Sequence, residues 1–123
     1  MEWVLIAVGG AIGSMCRYAI GTLVQRASHS GFPFGTLAVN IGGCIIVGAL
    51  TAWLMNAQTH PLIRPALVVG FCGGFTTFST FGIETVGLLR GGEFRMAVTY
   101  VILSLVLGVG AAALGFSFAL PRA

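Results

Sequence analysis

Charged side chains are scarce in this chain: they make up 7% of its 123 residues, and neither lysine nor aspartate occurs. A soluble domain carries about 25% charged residues, whereas 57% of this sequence is hydrophobic and its mean hydropathy is +1.01. That balance excludes a soluble globule and predicts an integral membrane protein in the lipid bilayer. The arginines are scattered and the net charge is only +3, so the basic stripe of a nucleic-acid binder is missing and no nucleic acid is expected as a partner. Cys16, Cys44 and Cys72 all fall inside apolar runs. An odd number of cysteines so placed is not a disulfide framework, and small packing residues are the expected reading. No His, Cys and carboxylate group has metal-site spacing. Nor is a nucleophile paired with a base, and there is no phosphate loop, so the chain is not expected to be an enzyme. His29 and His60 lie in or beside connections, where solvation is expected. The N-terminal Met-Glu-Trp lacks a basic stretch and a cleavage site, so the first apolar run is expected to be retained.

What is present is apolar sequence in four runs, at about 3–24, 33–54, 62–89 and 97–120. Each is long enough for the roughly 20 residues that a helix needs to cross a bilayer. The connections at 25–32, 55–61 and 90–96 are short, and Pro33, Pro61 and Pro65 sit at or near span starts, where a missing N–H is harmless. One domain over residues 1–123 is expected: an all-α membrane protein of four transmembrane helices. Glycine is plentiful at 19 residues. Gly9 and Gly13, and Gly70 and Gly74, are four apart, a spacing that lets membrane helices approach closely.

The third run carries the unusual chemistry. Gly73-Gly74 is followed by Thr76, Thr77, Phe78, Ser79, Thr80 and Phe81. Two adjacent glycines weaken a helix by about 1 kcal/mol each relative to alanine. A helix broken at membrane depth survives only where protein or a water-filled cavity covers the freed backbone groups. A functional break is therefore expected in this run. The hydroxyls can bond back to carbonyls of their own helix, or face a path with the phenylalanines. Phe78 and Phe81, three apart, share a face. Ring edges are positive, so edges beside hydroxyl donors can coordinate a small anion without binding it too tightly to release.

Other polar residues leave alternatives open. Arg17, inside the first span, is either a snorkelling anchor or a positive charge at an anion-attracting vestibule. Asn40 either bonds a neighbouring helix or faces a permeation path. Tyr100 and Ser104 either form a polar track or join helices, and Glu84 serves either in pairing near a span end or in proton coupling. Orientation is barely encoded. Arg64 and Arg122 fall on one side and Arg26, Arg90 and Arg95 on the other, almost no bias under the positive-inside rule. Either the orientation is fixed by another feature, or inverted copies pair as an antiparallel dimer.

Residues 70–81 (Gly-Phe-Cys-Gly-Gly-Phe-Thr-Thr-Phe-Ser-Thr-Phe), with Gly35-Thr36-Leu37-Ala38-Val39-Asn40 and the stretch from Gly9 to Tyr18, resemble the Fluc/CrcB family of fluoride channels. The resemblance runs through the whole chain in order. It implies an antiparallel, dual-topology homodimer with the third helix broken near the midplane, in the plasma (inner) membrane of a microbe, relieving fluoride toxicity by passive export. It further implies that Phe78, Phe81, Asn40, Thr77, Ser79, Thr80, Tyr100 and Ser104 belong to the fluoride pore, with Arg17 at the vestibule. A structural sodium ion (Na+) is implied at the dimer centre, at Gly73 and Thr76. The chain departs from the family pattern at Gly82 and Gly108, where hydroxyl residues are common. The alternative is a small dual-topology, proton-coupled multidrug-type transporter. That class needs a deep carboxylate, and the first span has none.

Overall fold

The computed structural model describes residues 1–121, and its spans are helical apart from a break in the third; Arg122 lies outside the described residues. Helix α1 covers Glu2–Ser28, with Glu2 in its first turn and Arg26 in its last, signs that suit the positive N-terminal and negative C-terminal ends of a helix. It runs four residues beyond the expected span and stops at His29, whose φ of 47° is left-handed. Helix α2 covers Phe34–Asn56, directly after Pro33. The third span begins with Pro65 at the helix start and forms α3, a π-helix over Pro65–Cys72 that closes in an α-helical turn, Gly73–Phe75. It resumes as α4 over Phe78–Arg90, and after a turn at Gly92, with φ of 79°, α5 covers Phe94–Ala119. All four spans are long and apolar enough to cross a membrane.

The helices pair through glycine. Along α1 and α3, Gly9 faces the Ala66 carbonyl, Gly13 that of Phe71, Gly70 that of Ile6 and Gly74 that of Gly10. A Cβ at any of these four positions would run into the opposing backbone. The two four-residue glycine spacings thus meet each other, which brings the helices together without side chains between them. Helices α2 and α5 do the same, with Gly48 on the Ala112 carbonyl and Gly115 on that of Ile45. Contact with α5 continues on α4. Phe32, Leu37 and Tyr100 form a buried core on which Ile41, Phe81 and Leu88 pack. Away from these seams, Val4, Val8, Ile12 and Met15 of α1 are exposed, as a lipid-facing surface requires.

The break falls two residues later than the glycine pair. Gly73 is helical, at φ −62° and ψ −38°. The extended residues are Thr76, with ψ of 157°, and Thr77, with φ of −149° and ψ of 113°. Close approach to α1, rather than a change of conformation, accounts for Gly74.

Candidate functional site at the broken helix

A helix that stops and restarts leaves backbone donors and acceptors without helical partners. Here side chains take them. Asn40 on α2 receives the Thr77 N–H on Oδ1 at 2.7 Å and donates from Nδ2 to the Thr77 carbonyl at 3.0 Å. Thr77 Oγ1 then caps α4 by accepting the Thr80 N–H at 3.1 Å. The same hydroxyl donates to Thr80 Oγ1 at 2.9 Å and lies 3.4 Å from Ser79 Oγ. Thr76 Oγ1 turns back to the Cys72 carbonyl at 2.9 Å. The hydroxyl block therefore seals the break locally, and only Thr76 does so by bonding within its own helix. Capture of the Thr77 and Thr80 N–H groups has a second effect. In a continuous helix those donors would serve the carbonyls of Gly73 and Thr76, four residues back. Among the described residues neither carbonyl accepts a hydrogen bond, and the space beside the exposed Gly73 is open.

Below the break, Glu84 is clamped by two neutral hydroxyls. Thr36 donates to Oε1 and Tyr100 to Oε2, each at 2.7 Å. Tyr100 is completely buried. The edge-on ring of Phe32, 5.6 Å away at 89°, and the ring of Phe81, 5.1 Å away, pack against it. These contacts fix Glu84 by pairing, between α2 and α5.

Two cavities flank the break. The larger, about 830 Å³, is lined by Arg17, Arg26, Gln25, Thr36, Thr80 and Glu84 among others. The smaller, about 270 Å³, is lined by Asn40, Cys44, Thr76, Phe78, Phe81, Ser104 and Gly108. Thr77, only 8% exposed, is a wall of both. The rings of Phe78 and Phe81 lie 5.6 Å apart at 48°. Phe78 is 81% exposed, so most of its surface faces away from its own chain.

The family model described as CrcB-like protein, Camphor Resistance (CrcB), matches residues 4–116. The chain belongs to the CrcB family. Among its relatives, a protein of Solibacter usitatus named "Fluoride-specific ion channel FluC" is 45% identical over 112 residues, covering 90% of this chain and 92% of the relative. One of Rhodococcus jostii, "Fluoride-specific ion channel FluC 2", is 45% identical over 116 residues, with 94% and 96% covered. A third, from Thermus thermophilus and also named "Fluoride-specific ion channel FluC", is 43% identical over 115 residues, with 94% and 92% covered.

Within this CrcB chain the residues expected from the sequence separate into groups. Asn40, Thr77, Phe78, Phe81 and Ser104 share the small cavity. Arg17 and Thr80 line the large one, with Thr77 again between them. Ser79 is exposed and lines neither cavity, and Tyr100 is buried behind the wall with its hydroxyl on Glu84. Asn40 uses both ends of its amide on Thr77, yet Nδ2 carries a second N–H that this pairing does not use. Gly108 lies with Cys44 at the end of the small cavity; a Cβ there would be 3.8 Å from Cys44 Sγ. Gly82 has open space beside it. Thr36 was named from the sequence only as part of the stretch from Gly35 to Asn40, with no role of its own. Its bond to Glu84 joins residues 48 apart in sequence, and no local pattern signals it. Among the described residues no group of His, Cys, Asp or Glu side chains gathers as a metal site. Hard cations take oxygen ligands, and the carbonyls of Gly73 and Thr76, which accept no hydrogen bond among the described residues, are oxygens of that kind.

Proposed function

We propose that this chain is a fluoride-selective channel, not an enzyme, and that it exports fluoride passively from a microbial cell across its plasma (inner) membrane. The observation that carries the reading is the small cavity. There Phe78, Phe81, Asn40 and Ser104 line one space beside a broken helix, in a chain related to proteins named fluoride-specific channels. Fluoride holds its hydration water strongly, so a conducting path must replace that water with donors. Neutral donors and ring edges do this without the full charge that would trap the ion. Arg17 and Arg26 in the larger cavity supply a positive field that gathers anions at its mouth. Thr77, shared by both cavities, is the point at which the ion passes from one to the other.

The working unit in this reading is an antiparallel homodimer with the break near the bilayer midplane. The near-equal arginines on the two sides support it, as does the exposed ring of Phe78. The carbonyls of Gly73 and Thr76 fit a structural sodium ion at the dimer centre, with two protomers doubling the oxygens available. When bound, the ion contributes a fixed positive charge near the break. Export lowers cytoplasmic fluoride because HF enters from an acidic medium and dissociates inside.

The test is efflux from proteoliposomes containing only this protein, followed with a fluoride electrode and repeated with chloride. Fast fluoride release without a proton gradient, with chloride retained, is the expected result. Silence from vesicles that contain folded dimer would refute the channel.

A further inference from the structure

Gln25 spends its whole side-chain amide on the turn between α1 and α2. Nε2 donates to the carbonyls of Ser30 at 2.9 Å and Phe32 at 3.0 Å, and Oε1 accepts the Gly35 N–H at 3.0 Å. Helix α2 has no capping side chain of its own, because its cap position is Pro33. Gln25 therefore caps it from the preceding helix. Two of the three backbone sites it holds, Phe32 and Gly35, are the roots of the Glu84 clamp. Gly35 is followed by Thr36, which donates to Glu84 Oε1, and the Phe32 ring braces Tyr100, which donates to Oε2. Gln25, Thr36 and Glu84 also line the same large cavity.

We propose that Gln25 is a positioning residue for the anion path, holding the Thr36–Glu84–Tyr100 clamp closed from the loop at the cavity mouth. The proposal rests on the large cavity being the fluoride vestibule. A clamped carboxylate is held against α2 and α5 by its two hydroxyl donors. If Thr36 and Phe32 shift, Glu84 is released into the cavity, where its charge repels the arriving anion. Nothing in this role requires Gln25 to touch the ion.

The experiment compares Gln25→Leu and Gln25→Glu with the unmodified chain in proteoliposomes at low protein density. Two quantities come from each trace: the fraction of vesicles that release fluoride, and the rate of release from those vesicles. A purely structural role removes active channels and lowers the fraction. A positioning role leaves the fraction unchanged and slows release by about three- to tenfold, the range expected for lost hydrogen bonds. Gln25→Glu keeps the size and the acceptor for Gly35, but it sets a carboxylate against two carbonyls and is expected to be at least as slow as Gln25→Leu. Where Gln25→Leu yields no dimer, Gln25→Asn, one methylene short of its partners, is read in the same way. Unchanged release rates, or a loss confined to the fraction, would overturn the proposal. If the unmodified chain releases no fluoride, it is the channel reading that fails.

Discussion

Replacing Asn40 by leucine isolates what holds the break open and ordered. The side chain keeps the number and branching of its heavy atoms, so no cavity is opened, but Thr77 loses the acceptor at 2.7 Å for its N–H and the donor at 3.0 Å for its carbonyl. A buried polar group left without a partner costs about 1–3 kcal/mol, and two are orphaned here. Asn40 borders the small cavity, from which water can reach the stranded groups, so the lower end applies: about 2 kcal/mol in total. Hydrogen exchange at the Thr77 amide, followed in detergent by mass spectrometry or NMR, reads this directly. Opening should become about 30-fold easier, since each 1.4 kcal/mol is tenfold. The Thr80 amide, bonded to Thr77 Oγ1, should follow, while amides in the middle of α5 should not change. Exchange at Thr77 within twofold of the unmodified protein would refute the assignment of Asn40 as the partner of the break.

The adjacent glycines should behave in opposite ways. Gly74→Ala forces α1 and α3 apart at the Gly10 carbonyl and should cost about 1–3 kcal/mol in thermal or denaturant unfolding, whereas Gly73→Ala meets nothing in its own chain and should leave the protomer no less stable. Equal tolerance at both would contradict the close approach of these helices. Phe78→Ile and Phe81→Ile should each slow fluoride efflux by about tenfold, but only Phe81→Ile, whose ring packs on Tyr100 at 5.1 Å, should also lower stability by about 1 kcal/mol. Tyr100→Phe removes a hydrogen bond to a carboxylate and should cost about 1.5–3 kcal/mol in the same unfolding assay; no loss would mean that the Glu84 clamp does not bear on the fold. If sodium is the structural ion, the dimer's melting temperature should rise with sodium concentration over an impermeant organic cation, and a flat response would remove the ion from the proposal.

Much of the architecture was legible in the sequence because membrane insertion depends on local composition. Runs of about 20 apolar residues must be helices in lipid, where every backbone group needs an internal partner. The paired spacings at Gly9/Gly13 and Gly70/Gly74 forecast close packing, although nothing local indicated that they meet each other. Of the residues expected at a pore, Asn40, Thr77, Phe78, Phe81 and Ser104 are brought to one cavity, and Ser79, Thr80 and Tyr100 are not. Their individual tasks were not legible. Propensity marked Gly73-Gly74 as a weak point within the run expected to break, but close packing of Gly74 against α1 accompanies a pair that stays helical. The chain opens at Thr76 and Thr77, where Asn40 supplies the replacement hydrogen bonds.

By itself, then, the sequence determined the four spans, the four-residue glycine spacings at Gly9/Gly13 and Gly70/Gly74 and the set of polar residues kept within the apolar runs, because hydropathy and spacing act over neighbouring positions. Tertiary structure alone decided where the third helix breaks, that Tyr100 serves Glu84 rather than a cavity, and that Gln25 closes the turn above them. Each of these depends on which donor lies within about 3 Å of which acceptor, and only the packing of distant segments sets that distance.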